Sequence, residues 1–272
     1  MTGTLYITAT PVGNLSDITL RAIDTLKTVD LIACEDTRVT KILAEKYGFS
    51  APLIDCHKFN EKERSVKIIS LLKEGKNVAL VSDAGTPGIS DPGGILAEEA
   101  RKEGIKVTSL PGCCAVSIFL SMLKRNTEEY AFIGFMPRKK QEQAQIIKKY
   151  RHTNLVFYES PQRLLETLDN ISAISGENTE IAVGRELTKM FEEVIKGSVK
   201  EIKEYYETRP LKGEIVAMIY AQNEEKTDTA ELKEKINVLK KAGFSNKDIT
   251  KIITGLYNTD KKTVYKTVIE EI

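Results

Sequence analysis

The chain has 272 residues, 41% of them hydrophobic and 29% charged, with a formal net charge of +1. That length and apolar content support a buried core in two modest domains, or two plus an appendage, and argue against disorder. Near neutrality excludes a global field drawing the chain to nucleic acid, so any RNA or DNA contact must come from local patches.

The start carries no basic segment followed by an apolar block, and no run approaches the roughly 20 apolar residues of a membrane helix. A soluble, cytoplasmic protein without a membrane partner is expected. Cys34, Cys56, Cys113 and Cys114 show no C-x-x-C spacing, and only His57 and His152 are available beside them. Reduced thiols and no metal site are the expectation.

From the start, short apolar runs alternate with helical patterns: LYITAT, SDITLRAIDTLKTV, DLIACED, TRVTKILAEKYGF, PLIDCH, ERSVKIISLLKEGK and VALVSD. Apolar strands alternating with helices predict a parallel sheet covered by helices. ILAEEARKEG, KVTSLPG and the helical CCAVSIFLSMLK continue the pattern up to the polar break KRNTEEY. A first domain over residues 1–125 follows. A second, over 126–222, contains YAFIGFMP, TNLVFYESP, PQRLLETLDNI, TEIAVGREL, FEEVIKGS and KGEIVAMIYA, and its adjacent strands predict a mixed, partly antiparallel sheet.

After Ala221 the polar QNEEKTDT reads as a linker. Residues 230–272 then carry three helical patterns. Ser245 and Thr259 are candidate caps, Asp248 resembles the acidic partner of a capping box, and Gly243 and Gly255 suit helix ends or turns. The unit reads either as a helix-turn-helix-like module with Lys261, Lys262 and Lys266 on its last helix, or as a packing appendage.

No G-x-G-x-x-G follows the first strand and no P-loop pattern exists, so any nucleotide-like cofactor is held in another way. Three loops nevertheless stand at predicted strand carboxyl ends: TPVGNL, SDAGTPGISDPG and LPGCCA. In open α/β sheets ligands sit at those ends, where glycine lets a backbone approach closely. Each loop alone is either a turn or a cradle. In the second, Asp83 can meet a ligand ammonium or a ribose hydroxyl, and Asp91 reads as the cap of the helix that follows.

Two polar clusters also follow strands. CEDTR carries Glu35, Asp36 and Arg38, with helix-dipole stabilisation as the alternative reading of the two acids. GRELTK carries Arg185, Glu186 and Lys189. Basic residues Arg138, Lys139 and Lys140 lie in MPRKKQEQ and Arg163 in ESPQRLLETL, either as solvated surface charge or as phosphate contacts.

In this order, LYITATPVGNLSDITLRAIDTLK, IACEDTR, SDAGTPGISDPG, LPG, FYESPQRLLETL, GRELTK and KGEIV resemble the 16S ribosomal RNA cytidine 2′-O-methyltransferases, class III methyltransferases related to the tetrapyrrole methylases. The resemblance spans essentially the whole chain. It implies a two-domain α/β tetrapyrrole-methylase-like fold with a small all-α extension, commonly a homodimer, holding S-adenosylmethionine between the domains. By the same resemblance Pro11, Gly13, Ser82, Asp83, Ala84, Gly85, Thr86, Pro87, Cys114, Ala115, Tyr158 and Gly213 hold the cofactor. Relatives read PGPSA where this chain has PGCCA, which leaves main-chain contacts there and puts a side-chain hydroxyl contact in doubt.

The implied reaction methylates the ribose 2′-hydroxyl of a cytidine in the decoding region of 16S rRNA, within the 30S subunit. Glu35, Asp36 or Glu186 can accept the proton, and Arg185 or Lys189 can hold phosphate or developing alkoxide charge. Arg38, Arg138, Lys139, Lys140, Arg163, Lys261, Lys262 and Lys266 are the candidate RNA contacts. Two alternatives stand beside this reading: a methylase of a tetrapyrrole carbon, and a nucleic-acid-binding regulator whose α/β part senses a metabolite.

Overall fold

The computed structural model describes residues 2–209, 211–222, 229–257 and 261–270. They fall into two compact units, Met1–Ala221 and Gln222–Ile272. The first opens with β1 (Thr4–Thr8), α1 (Leu20–Thr28), β2 (Leu31–Cys34), α2 (Thr37–Tyr47), β3 (Leu53–Asp55), α3 (Glu61–Lys73), β4 (Val78–Val81), α4 (Gly94–Lys102) and β5 (Lys106–Leu110). All five strands pair in parallel, in the order β3-β2-β4-β1-β5.

Strand alternation explains why both faces are covered. Ile32, Cys34, Ala79 and Val81 pack with Ala22, Leu26 and Leu43 of α1 and α2. Their neighbours Ala33, Val78 and Leu80 point the other way, onto Ile68 and Leu72 of α3 and Leu96 and Ala100 of α4. The crossover after β1 leads past β4 to β2, whereas that after β4 leads past β1 to β5. Connections therefore leave the central pair in opposite directions, the arrangement that opens a crevice at strand carboxyl ends.

The chain continues through α5 (Ala115–Ser121), β6 (Tyr130–Phe135), α6 (Lys140–Lys149), β7 (Asn154–Glu159), α7 (Pro161–Ser175), β8 (Glu180–Arg185), β9 (Glu193–Ser198), α8 (Val199–Glu207) and β10 (Ile215–Ile219). The second sheet runs β6-β7-β10-β8-β9; β6 and β7 are parallel and the other pairings antiparallel. Leu155, Phe157, Ile181, Val183 and Ala217 face α6 to α8. The opposite face takes Val116, Phe119 and Leu120 of α5, so the core of the second sheet includes residues that precede Asn126. Gly184 makes that approach possible, because a Cβ there would stand 2.7 Å from the Phe119 ring.

The second unit contains α9 (Thr229–Lys241), α10 (Asn246–Tyr257) and α11 (Lys261–Glu270), closed around Ile236, Ile249, Ile253, Val264 and Val268. Ser245 caps α10: its Oγ accepts the Asp248 N–H at 3.2 Å and donates to Asp248 Oδ2 at 2.5 Å. Gly243, at φ 84°, follows the end of α9. Gly255 does not end a helix but lies inside α10, where the helical hydrogen bonds continue two residues beyond it. The cap expected at Thr259 and the linker residues 223–228 lie outside the described residues.

Candidate functional site

The three glycine-bearing loops are bonded to one another. Thr10 and Gly85 exchange both backbone hydrogen bonds, at 2.9 and 3.0 Å, and Thr10 Oγ1 donates to Ser82 O at 2.9 Å. Thr86 Oγ1 donates to Cys113 O at 2.8 Å, and Cys113 Sγ donates to Asp17 O at 3.3 Å. Gly85 takes φ 81°, a left-handed conformation that glycine adopts without a Cβ penalty. The loops after β1, β4 and β5 thus form one wall.

That wall faces strand ends of the second sheet across a cavity of about 370 Å³, within the small-molecule range of roughly 300–1,000 Å³. From the first side it is lined by Val12, Glu35, Asp83 to Thr86, Ile89 to Asp91, Cys114 and Ala115. Phe135, Tyr158 to Pro161, Leu187 and Gly213 to Val216 line the second side. Pairing of β6 with β7 shifts register between Phe132 and Phe135, around Gly134 at φ 71°. A Cβ on Gly134 would stand 3.0 Å from Ser90 Oγ, so this bulge lets the Ser90–Asp91 segment close on the second sheet. Phe135 then meets Tyr158 edge-on at 5.5 Å.

Asp91 is not a helix cap. Its helix begins at Gly94, and Glu61 Oε1 accepts the N–H groups of Gly93 (2.9 Å), Ile95 (2.9 Å) and Leu96 (3.0 Å). A buried carboxylate from α3 occupies the positive end of α4, and Asp91 faces the cavity instead. The segment from Ser90 is therefore cavity wall rather than a helix start.

Of the cofactor residues expected by resemblance, Asp83, Ala84, Gly85, Thr86, Cys114, Ala115, Tyr158 and Gly213 line the cavity. Pro11, Gly13, Ser82 and Pro87 do not. Ser82 is buried, with its hydroxyl 3.3 Å from both Ala84 O and Gly85 O. Gly13 presses on the loop after β8, where an added Cβ would lie 2.5 Å from Lys189 Cγ and 2.8 Å from Leu187 O.

Only Glu35 of the expected proton-transfer and cationic residues lines the cavity. Burial, and then the charge of Asp83, push its carboxyl above the ordinary value. Asp36 instead caps α2, accepting the Arg38 N–H at 2.8 Å and pairing with the guanidinium at 2.6 Å. The hydrogen bonds from Arg38 hold it at about 2, too acidic for a general base near neutrality. Arg185 is turned toward Glu193, at 3.2 Å.

Glu186 and Lys189 stand behind Gly213 and Glu214. Lys189 Nζ lies 2.9 Å from Glu186 Oε1 and 2.8 Å from Glu214 Oε2, and Glu186 Oε1 also accepts the Glu214 N–H at 3.0 Å. Burial pushes Glu186 up, but the Lys189 hydrogen bond and its companions outweigh it and the net shift is downward. Burial pushes Lys189 down, and the bonds to Glu214 and Glu186 reverse that. Among the described residues the non-glycine positions at positive φ are Ser90, Glu186 and Thr188. Such conformations cost about 1–3 kcal/mol each and persist where the surrounding structure over-determines the backbone, often at active sites and ligand clamps.

The basic residues separate into two groups. Arg138, Lys139 and Lys140 are exposed just beyond Phe135, as are Arg38 beside the cleft and Lys261, Lys262 and Lys266 on α11. Arg163 is committed inward: its Nη2 donates to Met136 O at 2.9 Å and Pro137 O at 2.8 Å and lies 3.3 Å from buried Glu159. It holds the loop that carries Arg138.

Among the lining residues that sequence reasoning missed are Asp91 as a cavity group, Glu214, Phe135 and Leu187. Leu187 and Glu214 sit inside GRELTK and KGEIV, so those motifs were a usable signal. Phe135 depends on the bulge at Gly134 and had no local mark. Among the described residues no cluster of His, Cys, Asp or Glu suits a metal ion. No helix among them is long and apolar enough to cross a membrane.

Residues 4–203 match the family model of the Tetrapyrrole (Corrin/Porphyrin) Methylases. Solved structures with this fold include a diphthine synthase, at TM-score 0.65 and 14% identity over 81% of this chain and 91% of that one. A cobalt precorrin-4 methyltransferase superposes at TM-score 0.60 and 18% identity, over 80% and 95%. Fold and cleft together define a methylase of the tetrapyrrole methylase class. Nearer in sequence are the ribosomal RNA small subunit methyltransferases I of Bacillus subtilis (40% identity; 97% of this chain, 93% of that one) and Escherichia coli O157:H7 (37%; 99% and 96%). The chain belongs to that family of tetrapyrrole-methylase-like enzymes.

Proposed function

We propose that this chain transfers a methyl group from S-adenosylmethionine to the ribose 2′-oxygen of a cytidine in the decoding region of 16S rRNA. The observation that carries the reading is the composition of the cleft. Its lining residues include Glu35, Asp83, Asp91 and Glu214 and, among the described residues, no Lys, Arg or His, while Glu159 turns its buried carboxylate away onto Thr167 and Arg163. Such a wall favours a cationic ligand, and the cofactor bound there supplies an activated methyl group on a sulfonium.

The chain's own residues then have separable tasks. Asp83 Oδ1 accepts the Asp36 N–H at 3.0 Å, which fixes one side of the carboxylate and ties the cofactor wall to the start of α2. Glu35, with its raised pKa inside the cavity, accepts the hydroxyl proton. Lys189, at the rim between Glu186 and Glu214, steadies phosphate or alkoxide charge. The exposed Arg38, Arg138, Lys139 and Lys140 contact RNA phosphates, and the lysines of α11 add a further patch. An assembled 30S substrate, a homodimer and a cytoplasmic location complete the proposal on the strength of the family resemblance.

The same acidic lining disfavours a tetrapyrrole, whose several carboxylates would have to enter the cleft, whereas an RNA can offer one ribose and keep its phosphates at the rim. Incubation with methyl-labelled cofactor and either 30S subunits, naked 16S rRNA or uroporphyrinogen decides between them. We expect label on a single cytidine ribose; label on the porphyrin alone, or on an RNA base, overturns the proposal.

A further inference from the structure

We propose that Asp91 makes cofactor binding proton-linked and distinguishes the sulfonium donor from its neutral thioether product: its carboxyl gives up a proton to solvent as the cation binds and recovers one when product remains. The inference rests on the methyl-donor reading of the cleft.

Geometry places Asp91 there for a reason other than helix capping. The amino end of α4 is already satisfied by Glu61, whose carboxylate takes three of its N–H groups. Ser90, at φ 70°, turns the preceding backbone, and the missing Cβ of Gly134 lets this segment lie against the second sheet. Asp91 therefore reaches the cavity from the wall opposite Tyr158 and Glu214.

The groups that face it are nearly all acidic. Glu35 comes from the end of β2, Asp83 from the end of β4 and Glu214 from the start of β10, with the hydroxyls of Tyr158 on β7 and of Ser82. The nearby cation, Lys189, is already engaged by Glu186 and Glu214. Burial first, and then these carboxylates, push Asp91 up to about 6, while Ser82 works against the shift. Below about pH 6 a carboxyl in that position retains its proton until a cation supplies the missing charge. Binding a sulfonium lowers its pKa and releases the proton, and a thioether carries no charge at that atom to do so.

The test is calorimetry of the full chain with S-adenosylmethionine and, separately, S-adenosylhomocysteine, in buffers of different ionisation enthalpy. Between roughly pH 7.5 and 5 the donor should lose about tenfold in affinity, with proton release near zero at about pH 7.5, about half a proton near pH 6 and approaching one near pH 5, while the product changes by less than about twofold. Asp91→Asn should remove both the proton release and the pH dependence and weaken the donor selectively. Equal pH dependence for the two ligands, binding of the donor by the wild-type chain near pH 5.5 without proton release, or persistence of the release in Asp91→Asn each overturns the inference and leaves the cofactor site standing. Failure of the wild-type chain to bind either ligand near pH 7.5 overturns the inference together with the methyl-donor reading.

Discussion

Glu61 Oε1 accepts the N–H of Gly93 at 2.9 Å across 32 residues of chain, and this single contact reassigns the loop between them. With the helix end satisfied from α3, the Ile89–Asp91 segment becomes cavity wall. Glu61→Ala leaves three donors without this acceptor, two of them buried, and should cost about 2–4 kcal/mol in urea unfolding. Glu61→Gln keeps an acceptor and should lose only about 1 kcal/mol, the charge against the helix end. Equal stability of Glu61→Ala and wild type would remove Glu61 from this role.

Asp91 also sets a pH dependence of stability in the absence of ligand. Its folded pKa, about 6, lies above the ordinary 3.8. The folded state therefore prefers the protonated form, and this contribution is fully present below the unfolded value and lost as pH rises through the folded one. Asp91→Asn should match wild type near pH 4 and exceed it near pH 8 by about 1 kcal/mol, once screening of a half-buried group is allowed for. Urea midpoints at the two pH values read this directly.

Lys189 separates substrate handling from cofactor binding. Lys189→Ala should slow methylation of 30S subunits by about 10–100-fold, as expected for loss of a positioned cation, and leave the donor Kd within about threefold. Normal turnover would show that Lys189 only neutralises Glu186 and Glu214.

Gly13 and Gly213 permit two close approaches. A Cβ on Gly213, already at φ 92°, would stand 2.2 Å from Glu186 Oε1, and one on Gly13 would stand 2.8 Å from the Leu187 carbonyl. Gly213→Ala should destabilise by about 1–3 kcal/mol and weaken the donor. Gly13→Ala should displace the loop after β8 and reduce methylation; a variant with wild-type melting temperature and turnover would contradict the contact.

Removal of residues 222–272 tests the second unit. Its apolar core contains residues of α9 to α11 alone. The truncated chain should keep its donor affinity and show a several-fold higher KM for 30S subunits. Unchanged KM would favour the packing-appendage reading of that unit.

Much of the fold was legible because periodicity is local. Apolar runs such as VALV and LIAC, spaced by helical patterns, define a covered parallel sheet without knowledge of any contact. The strand-end loops were equally legible, since glycine and proline mark turns wherever they occur. Element order could not say that α5 packs on the second sheet, because its apolar face suits either sheet; the missing side chain of Gly184 decides it.

Sequence alone determined the alternation of elements, the three glycine-bearing loops and the motif order that points to the family, all of which depend on residues near one another. Tertiary structure decided what each polar side chain does, because a carboxylate's role depends on which distant donor or charge reaches it. Asp36, at the start of a helix, caps it and pairs with Arg38. Asp91 looked equivalent in sequence, but Glu61 took the neighbouring helix end from 30 or so residues away, leaving Asp91 among carboxylates at the cofactor cleft.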